Sequence, residues 1–566
     1  MRRLLVAIAA AGVVAPAAQA AYPGALGKVV YVGTRDDAAQ VLYERGAEGV
    51  RPLFETTAVL GGPVYSPRGR RIALTNDGAL VVLGADGQGL RQVSGPGVRV
   101  AQPSWSPDGG SLVVAEGTAP RRSLVVVGAD GASVRVLHGR KRDPRDPAWS
   151  ATGLVAFSQR SATGSDLFVK DGAGGSARRL TRTKGTDFAP AWSPDATTVA
   201  FARGRGGIWV VAADGTGLRR AANVAGPESA PAWAPDGSAI LFSAGRRGER
   251  AIYSVDPAGG TPEGVSTPQS DGRDPDWQPA GFAPLVLAGG DVACDPNSPN
   301  FNGGAGFPSE CAMRRTSDLA LRMDLDAVLA LGDLQYNDGR LPKFQASFAP
   351  TWGRLGPLLR PSPGNHEYRF FRSARGYFDY FNGRGAATGR AGQRGQGWYS
   401  FDVGTWHVVA LNTICERVEG GCAAGSPQEA WLRADLAASP ARCTLAFTHT
   451  PRFGSAGSNT EVEALYQALY DGGVDVLVSG DHHLYERLGP LDPAGNVDPA
   501  RGIRNFVVGT GGKSLVGTAN RRPGSEALDA TTFGGLTLEL LDGGYRWLFA
   551  GVGPGSFSDA GEGACH

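Results

Sequence analysis

Along residues 26–280 apolar runs of strand length alternate with tight polar turns, and the alternation itself repeats. Each unit carries a proline, a small residue and an aromatic, often followed by Ser-Pro-Asp-Gly and a further apolar run. The aromatic positions are Tyr65, Trp105, Trp149, Trp192, Trp233 and Trp277, spaced by 40, 44, 43, 41 and 44 residues. A period of this length with several short strands per unit predicts propeller blades. Further strand-like runs before Tyr65 make an opening unit, so six blades are expected. Pro-Asp-Gly turns the chain sharply, and the aromatic is expected to pack between blades that cannot bury their faces alone.

Near residue 280 this rhythm stops at a linker rich in Pro, Gly and Ala. Beyond it, apolar runs at 285–288, 327–331, 406–411, 444–447 and 474–478 alternate with helix-like segments such as 317–323 and 427–436. The change of period predicts a second domain of α/β layers, with reactive residues at strand ends. The expected boundaries are 26–280 and 285–566.

Five of the second-half segments end on residues that bind metals. LAGGD ends on Asp291, LALGDLQY carries Asp333 and Tyr336, and PGNHE carries Asn365 and His366. LAFTH ends on His449, and VLVSGDHH supplies Asp481, His482 and His483. Together they offer ligands for two adjacent cations, which can hold a phosphate and activate a water. Hydrolysis of a phosphate ester is the leading expectation.

The repeats, as in PSWSPDGGSLVV and PAWAPDGSAILFS, resemble the six-bladed propeller of the TolB family. The five ordered motifs resemble the calcineurin-like metallophosphoesterase superfamily, and GDLQY its purple acid phosphatase branch. Together the likenesses imply an all-β propeller followed by an α/β metallophosphatase domain, a layered β-sandwich flanked by helices. For the site, the likeness implies a first metal on Asp291, Asp333, Tyr336 and His483. It implies a second on Asn365, His449 and the residue at Asp481, with Asp333 bridging. His366 would stabilise the developing charge on phosphate or protonate the leaving group. Tyr336 stands in for an imidazole that many relatives carry in D-x-H, where this chain has Asp291-Val292-Ala293. Phenolate ligation favours ferric iron, with Fe, Zn or Mn as its companion. The usual Gly-His-x-His order is replaced by Gly480-Asp481-His482-His483. Counting back from Tyr485 puts Asp481 on the second metal, with a local shift to His482 as the alternative.

Asn337, Tyr368, Arg452, Tyr485 and Arg487 lie beside motif residues and are candidates for the substrate mouth, as is the insertion at 372–394. The stretch 509–514 ends like a phosphate-binding loop, but Val507 stands where its first glycine belongs, so a turn between strands is expected. His407 reads as structural, and His566 carries no readable role.

Composition adds a compartment. Arg2 and Arg3, an apolar stretch and Ala18-Gln19-Ala20 read as a signal peptide over 1–20. Its removal leaves basic and acidic residues balanced, which advertises no nucleic acid as a regulatory partner. No segment is long and apolar enough to span a bilayer as a helix. The expected location is secreted, periplasmic or cell envelope. All six cysteines lie beyond residue 290. Nearness favours Cys294 with Cys311, Cys415 with Cys422, and then Cys443 with Cys565, among the 15 pairings six thiols allow. A phosphomonoesterase is expected; the alternatives are a phosphodiesterase or nucleotidase, and an envelope binding protein that acts through its propeller with a degenerate phosphatase domain.

Overall fold

A computed structural model describes residues 19–35, 39–132, 134–162, 164–204, 206–266, 271–517, 520–553 and 555–566. The chain divides into two compact units, the first ending at Phe282 and the second beginning at Ala283. Nearly all of the expected leader lies outside the described residues. Gln19–Ala20 pairs parallel with the strand Asp187–Trp192.

Among the described residues the first unit is a ring of six blades of four antiparallel strands, one of them extended to a fifth strand by the parallel Gln19–Ala20. Five are built from consecutive strands, but the opening unit does not form a blade alone. Its three strands, Ala25–Thr34, Gln40–Gly46 and Gly49–Thr56, take their innermost partner from Arg273–Ala280 at the other end of the unit. Borrowing a strand closes the ring and removes an exposed edge. The marker aromatics Trp105, Trp192 and Trp233 donate their indole N–H to Val64, Ala148 and Ala191, each on the preceding blade (3.1–3.2 Å). Three residues before every marker the inner strand passes through positive φ, from 49° to 58° at Gly62, Gln102, Asp146, Ala189, Ala230 and Asp274. Outer-strand arginines make a second link between blades. Arg135 reaches Gly172 O (2.7 Å) and Arg219 reaches Pro257 O (2.5 Å).

The second unit stacks two sheets. One has six strands in the order Leu359–Ser362, Ala327–Leu331, Leu285–Gly289, Gly534–Leu541, Gly544–Gly551 and Ser558–Ala564, the first three parallel. The other has seven, with Trp406–Ala410, Cys443–Thr448, Val476–Ser479 and Ile503–Val508 running parallel at its centre. Val286, Leu329 and Leu331 of the first sheet share a core with Val408, Phe447 and Val478 of the second. Helices including Met313–Leu321, Pro427–Ala438 and Glu463–Asp471 cover the outer faces. Three disulfides join Cys294–Cys311, Cys415–Cys422 and Cys443–Cys565, the pairing that proximity favours. The last ties the C-terminal strand to a core strand, and His566 adds a hydrogen bond to Asp475 (2.7 Å). Among the described residues no helix is long and apolar enough to cross a membrane.

Candidate metal centre

Every candidate ligand but Tyr336 and His483 sits within three residues of the C-terminal end of a parallel strand. Asp291 follows Leu285–Gly289, Asp333 follows Ala327–Leu331, Asn365 follows Leu359–Ser362, His449 follows Cys443–Thr448, and Asp481 follows Val476–Ser479. Loops leaving neighbouring parallel strands converge, so five distant segments meet. Asp291, Asp333 and Asp481 all adopt positive φ (58°, 48° and 66°), a conformation held only where surroundings over-determine it. Glycines make the crowding possible. A Cβ on Gly332 would lie 2.6 Å from the His449 ring, and one on Gly364 would lie 2.3 Å from Asp333 N.

Two triads of donor atoms result. In the first, Tyr336 Oη is 2.7 Å from Asp291 Oδ1 and 3.0 Å from His483 Nε2, which is itself 3.1 Å from Asp291 Oδ1. In the second, His449 Nε2 is 3.2 Å from Asn365 Oδ1 and 3.5 Å from Asp481 Oδ1. Asp333 joins the two, with Oδ1 3.4 Å from His449 Nε2 and its carboxylate close to Asp291. His482, next in sequence to Asp481, turns toward Gly454, and its buried Nδ1 has no hydrogen-bond partner among the described residues.

The electrostatics call for a cation. Asp291 and Asp333 are buried, and among the described residues no lysine or arginine pairs with them or with Asp481. Burial, and then the neighbouring Asp291, push the Asp333 carboxyl up against the opposing effect of His449 and His366. Burial and the same two carboxylates hold the Tyr336 phenol far above its ordinary value. Burial would lower His449, but Asp333 and Asp481 set it well above the usual imidazole range. Asp481 is held at about 2 by His449, although burial acts the other way. Clustered buried carboxylates are costly unless compensated, and oxygen with imidazole nitrogen is a donor set that zinc, iron and manganese accept. The residues present fit two metal ions.

Outer contacts aim the candidate ligands. His449 Nδ1 lies 2.8 Å from Leu331 O, which leaves Nε2 for the site. His366 Nδ1 lies 2.7 Å from Asn337 O, and its Nε2 lies 3.7 Å from Asp333 Oδ2. Two contributors were not assigned to the site from the sequence. Glu367 accepts from the N–H groups of Leu334, Gln335 and Gly364 (2.8–3.1 Å), bracing the loops that carry Asp333 and Asn365. Burial and the nearby Asp333 raise its carboxyl to about 8. Its place in GNHE was the available signal. The turn at 509–514 also borders the site. Lys513 N donates to Asp291 O (2.8 Å), Lys513 Nζ lies 5.7 Å from the Tyr336 ring centre, and Ser514 Oγ lies 2.9 Å from His483 Nδ1.

Against this geometry stand the comparisons with known proteins. Residues 312–485 match the family model for calcineurin-like phosphoesterases, and residues 120–291 match the model for the TolB beta propeller domain. The second unit carries a calcineurin-like phosphoesterase domain. Asp291 and Ser514 fall outside the residues matched to that model, and the fold brings them to its centre. Similar curated proteins include purple acid phosphatase 22 of Arabidopsis thaliana, 28% identical over 251 residues, 39% of this chain and 52% of that protein. Purple acid phosphatase 23 of the same plant is 30% identical over 220 residues, 32% of this chain and 47% of that protein. The chain thus spans about half the length of these relatives. A solved TolB from Acinetobacter baumannii aligns with a TM-score of 0.40 at 17% identity, covering 45% of this chain and 67% of that one.

The candidates for the substrate mouth divide. Asn337 meets the His366 ring through its backbone carbonyl. Tyr368 is buried, with its hydroxyl accepting from Asn412 Nδ2 (2.8 Å). Arg452 lies over Phe453 and 3.5 Å from Glu463. Tyr485 is fully buried and donates to Asp559 Oδ2 (2.6 Å), and Arg487 pairs with the same carboxylate (2.7 Å) and with Glu526. The strand Tyr485–Leu491 alternates its side chains across the sheet, which commits both Tyr485 and Arg487 to the core-side cluster with Asp559 rather than to the metal centre.

Proposed function

We propose that the second unit is a hydrolase of phosphate esters, most simply monoesters, that works with two metal ions. Asp291, Tyr336 and His483 would hold one, Asn365, His449 and Asp481 the other, and Asp333 both. Iron paired with iron, zinc or manganese suits a site with one phenol. The observation that carries this reading is the pair of donor triads joined by Asp333, in a domain whose curated relatives are acid phosphatases. When bound, the ions supply the positive charge that draws a phosphate and lowers the pKa of a water.

The chain's own residues do the rest. Asn337 O fixes the His366 ring by its Nδ1, so Nε2 faces the space beside Asp333, where it can donate a proton to the departing oxygen. Glu367 holds the backbone of both loops under that space. The leader, the disulfides and the TolB-like propeller support export to the periplasm or the cell exterior, with the propeller offering a face to an envelope partner.

Elemental analysis of the purified protein alongside hydrolysis of an aryl phosphate tests the proposal. About two transition ions per chain and turnover are expected. Asp481→Ala should lose one ion and at least about 100-fold in activity, while His482→Ala keeps both ions. A protein that binds one ion or none and turns over no phosphate ester overturns the reading.

A further inference from the structure

Lys343 is buried, with 8% of its surface exposed, and a lysine is rarely buried unless it is paired. It closes the helical turn Leu341–Lys343, and the next residue, Phe344, packs in the core against Phe348, Tyr380 and Phe381. That aromatic anchor fixes the base of the lysine. Its Nζ reaches Asp295 Oδ2 (2.5 Å) and Asp338 Oδ2 (2.8 Å). Asp338 Oδ1 also takes Arg340 Nε (2.7 Å), so two cations balance two carboxylates. Asp295 is held from its own side as well. Cys294 before it is bridged to Cys311, and Cys294 O accepts from Ser347 Oγ (2.7 Å) and Gln335 Nε2 (3.1 Å).

This clamp leads to the metal centre. Burial would raise the Asp295 carboxyl, but Lys343 and the backbone N–H groups of Asn297 and Asn337 hold it below its ordinary value. The residue that Asp295 grips by its N–H, Asn337, is the one whose carbonyl meets His366 Nδ1 (2.7 Å). Two residues on, Gly339 N donates to His366 O (2.9 Å). A Cβ on Gly339 would lie 2.7 Å from Glu367 Cα, so the strap 337–339 lies flush against the loop that carries the histidine. A carbonyl only accepts, so Nδ1 keeps its hydrogen on Asn337 O and Nε2 is left to face Asp333 Oδ2 (3.7 Å).

We propose that Lys343 and Asp295 are positioning residues for His366, locking the strap 337–339 so that Asn337 O aims the imidazole at the leaving oxygen. The proposal rests on the phosphoesterase reading above. Neither residue is a candidate ligand, and Asp295 lies outside the residues matched to the phosphoesterase model. In the reaction a water oxygen bonds to phosphorus as the bond from phosphorus to the leaving oxygen breaks. The leaving oxygen keeps the electron pair and takes the Nε2 proton, and the proton lost by water returns to the ring through solvent. Such a transfer depends on placement, since a shift of about 1 Å costs on the order of 100-fold. The clamp removes that freedom.

Steady-state kinetics of the full-length, metal-loaded protein with phenyl phosphate and p-nitrophenyl phosphate test this. The two esters are close in shape, but nitrophenolate departs readily without a proton and phenolate does not. Lys343→Met should lower kcat for phenyl phosphate at least about tenfold, and for p-nitrophenyl phosphate less than about threefold. KM and the metal content, read by elemental analysis, should stay unchanged. Asp295→Ala should behave in the same way, and Asp295→Asn, which keeps an oxygen for Asn337 N, should recover most of the loss. That pair decides the matter by itself where the lysine variant fails to fold. His366→Asn should show the same dependence on leaving group, and adding Lys343→Met to it should cost nothing further. Equal losses for both esters, a lost ion, or losses that multiply in the double variant would overturn the positioning role while leaving a phosphatase. No hydrolysis of either ester by the unmodified protein at full metal loading would overturn the phosphoesterase reading itself.

Discussion

At the scale of single residues, the site depends on side chains that never meet a substrate. Ser514 Oγ lies 2.9 Å from the far nitrogen of His483, and that contact sets which nitrogen faces Asp291 and Tyr336. Partners of this kind typically carry a 10- to 100-fold effect on metal affinity. Ser514→Ala is therefore expected to weaken metal binding about tenfold in a chelator competition, with Ser514→Thr restoring it. The register of the Tyr485-Glu486-Arg487 motif points to Asp481, and Asp481 Oδ1 lies 3.5 Å from His449 Nε2. Tyr485 and Arg487 mislead for the opposite reason. They adjoin the motif in sequence, but a strand sends alternate side chains to opposite faces, and theirs meet Asp559.

At the scale of elements, Trp105, Trp192 and Trp233 each hold the propeller by an indole N–H that donates to the blade before it. Trp192 is fully buried, so Trp192→Ala should destabilise the first unit by about 3–5 kcal/mol, read from its denaturant midpoint. In the second unit His407 bridges two elements. Its Nδ1 lies 3.0 Å from Asp402 on the adjoining strand, and its Nε2 lies 2.9 Å from Asp435 on the helix Pro427–Ala438. Burial pulls this imidazole down, but the two carboxylates outweigh it and set its pKa above the ordinary value. The stabilisation is complete below the ordinary imidazole pKa of about 6.5 and is lost as pH rises through the elevated folded value. Thermal melts should show His407→Gln costing more at pH 5 than at pH 9; an equal cost at both would remove the charged bridge. The repeat period and the strand-helix alternation were readable because the 40-residue spacing and the change of period are local properties. The strand loan that closes the ring was not, since Ala25–Thr34 and Arg273–Ala280 are far apart in sequence.

At the scale of the whole molecule, two units with separate cores should unfold in two transitions. Only one contains the metal centre, and a ligand bound solely by the native state stabilises that state alone. Chelation is expected to lower one calorimetric transition and leave the other in place; movement of both would contradict this. The order of chemistry along the chain was set by sequence alone: repeats first, then five donor-bearing motifs, with the cysteines confined to the same half. Apolar runs and turn residues act on their immediate neighbours, so their message survives without the fold. What the tertiary structure decided is which donors share a triad, that Glu367 and Ser514 support them, and that Tyr485 and Arg487 do not join them. Those outcomes depend on where parallel strands end relative to one another and on which face each side chain takes, and both are fixed only when the two sheets pack.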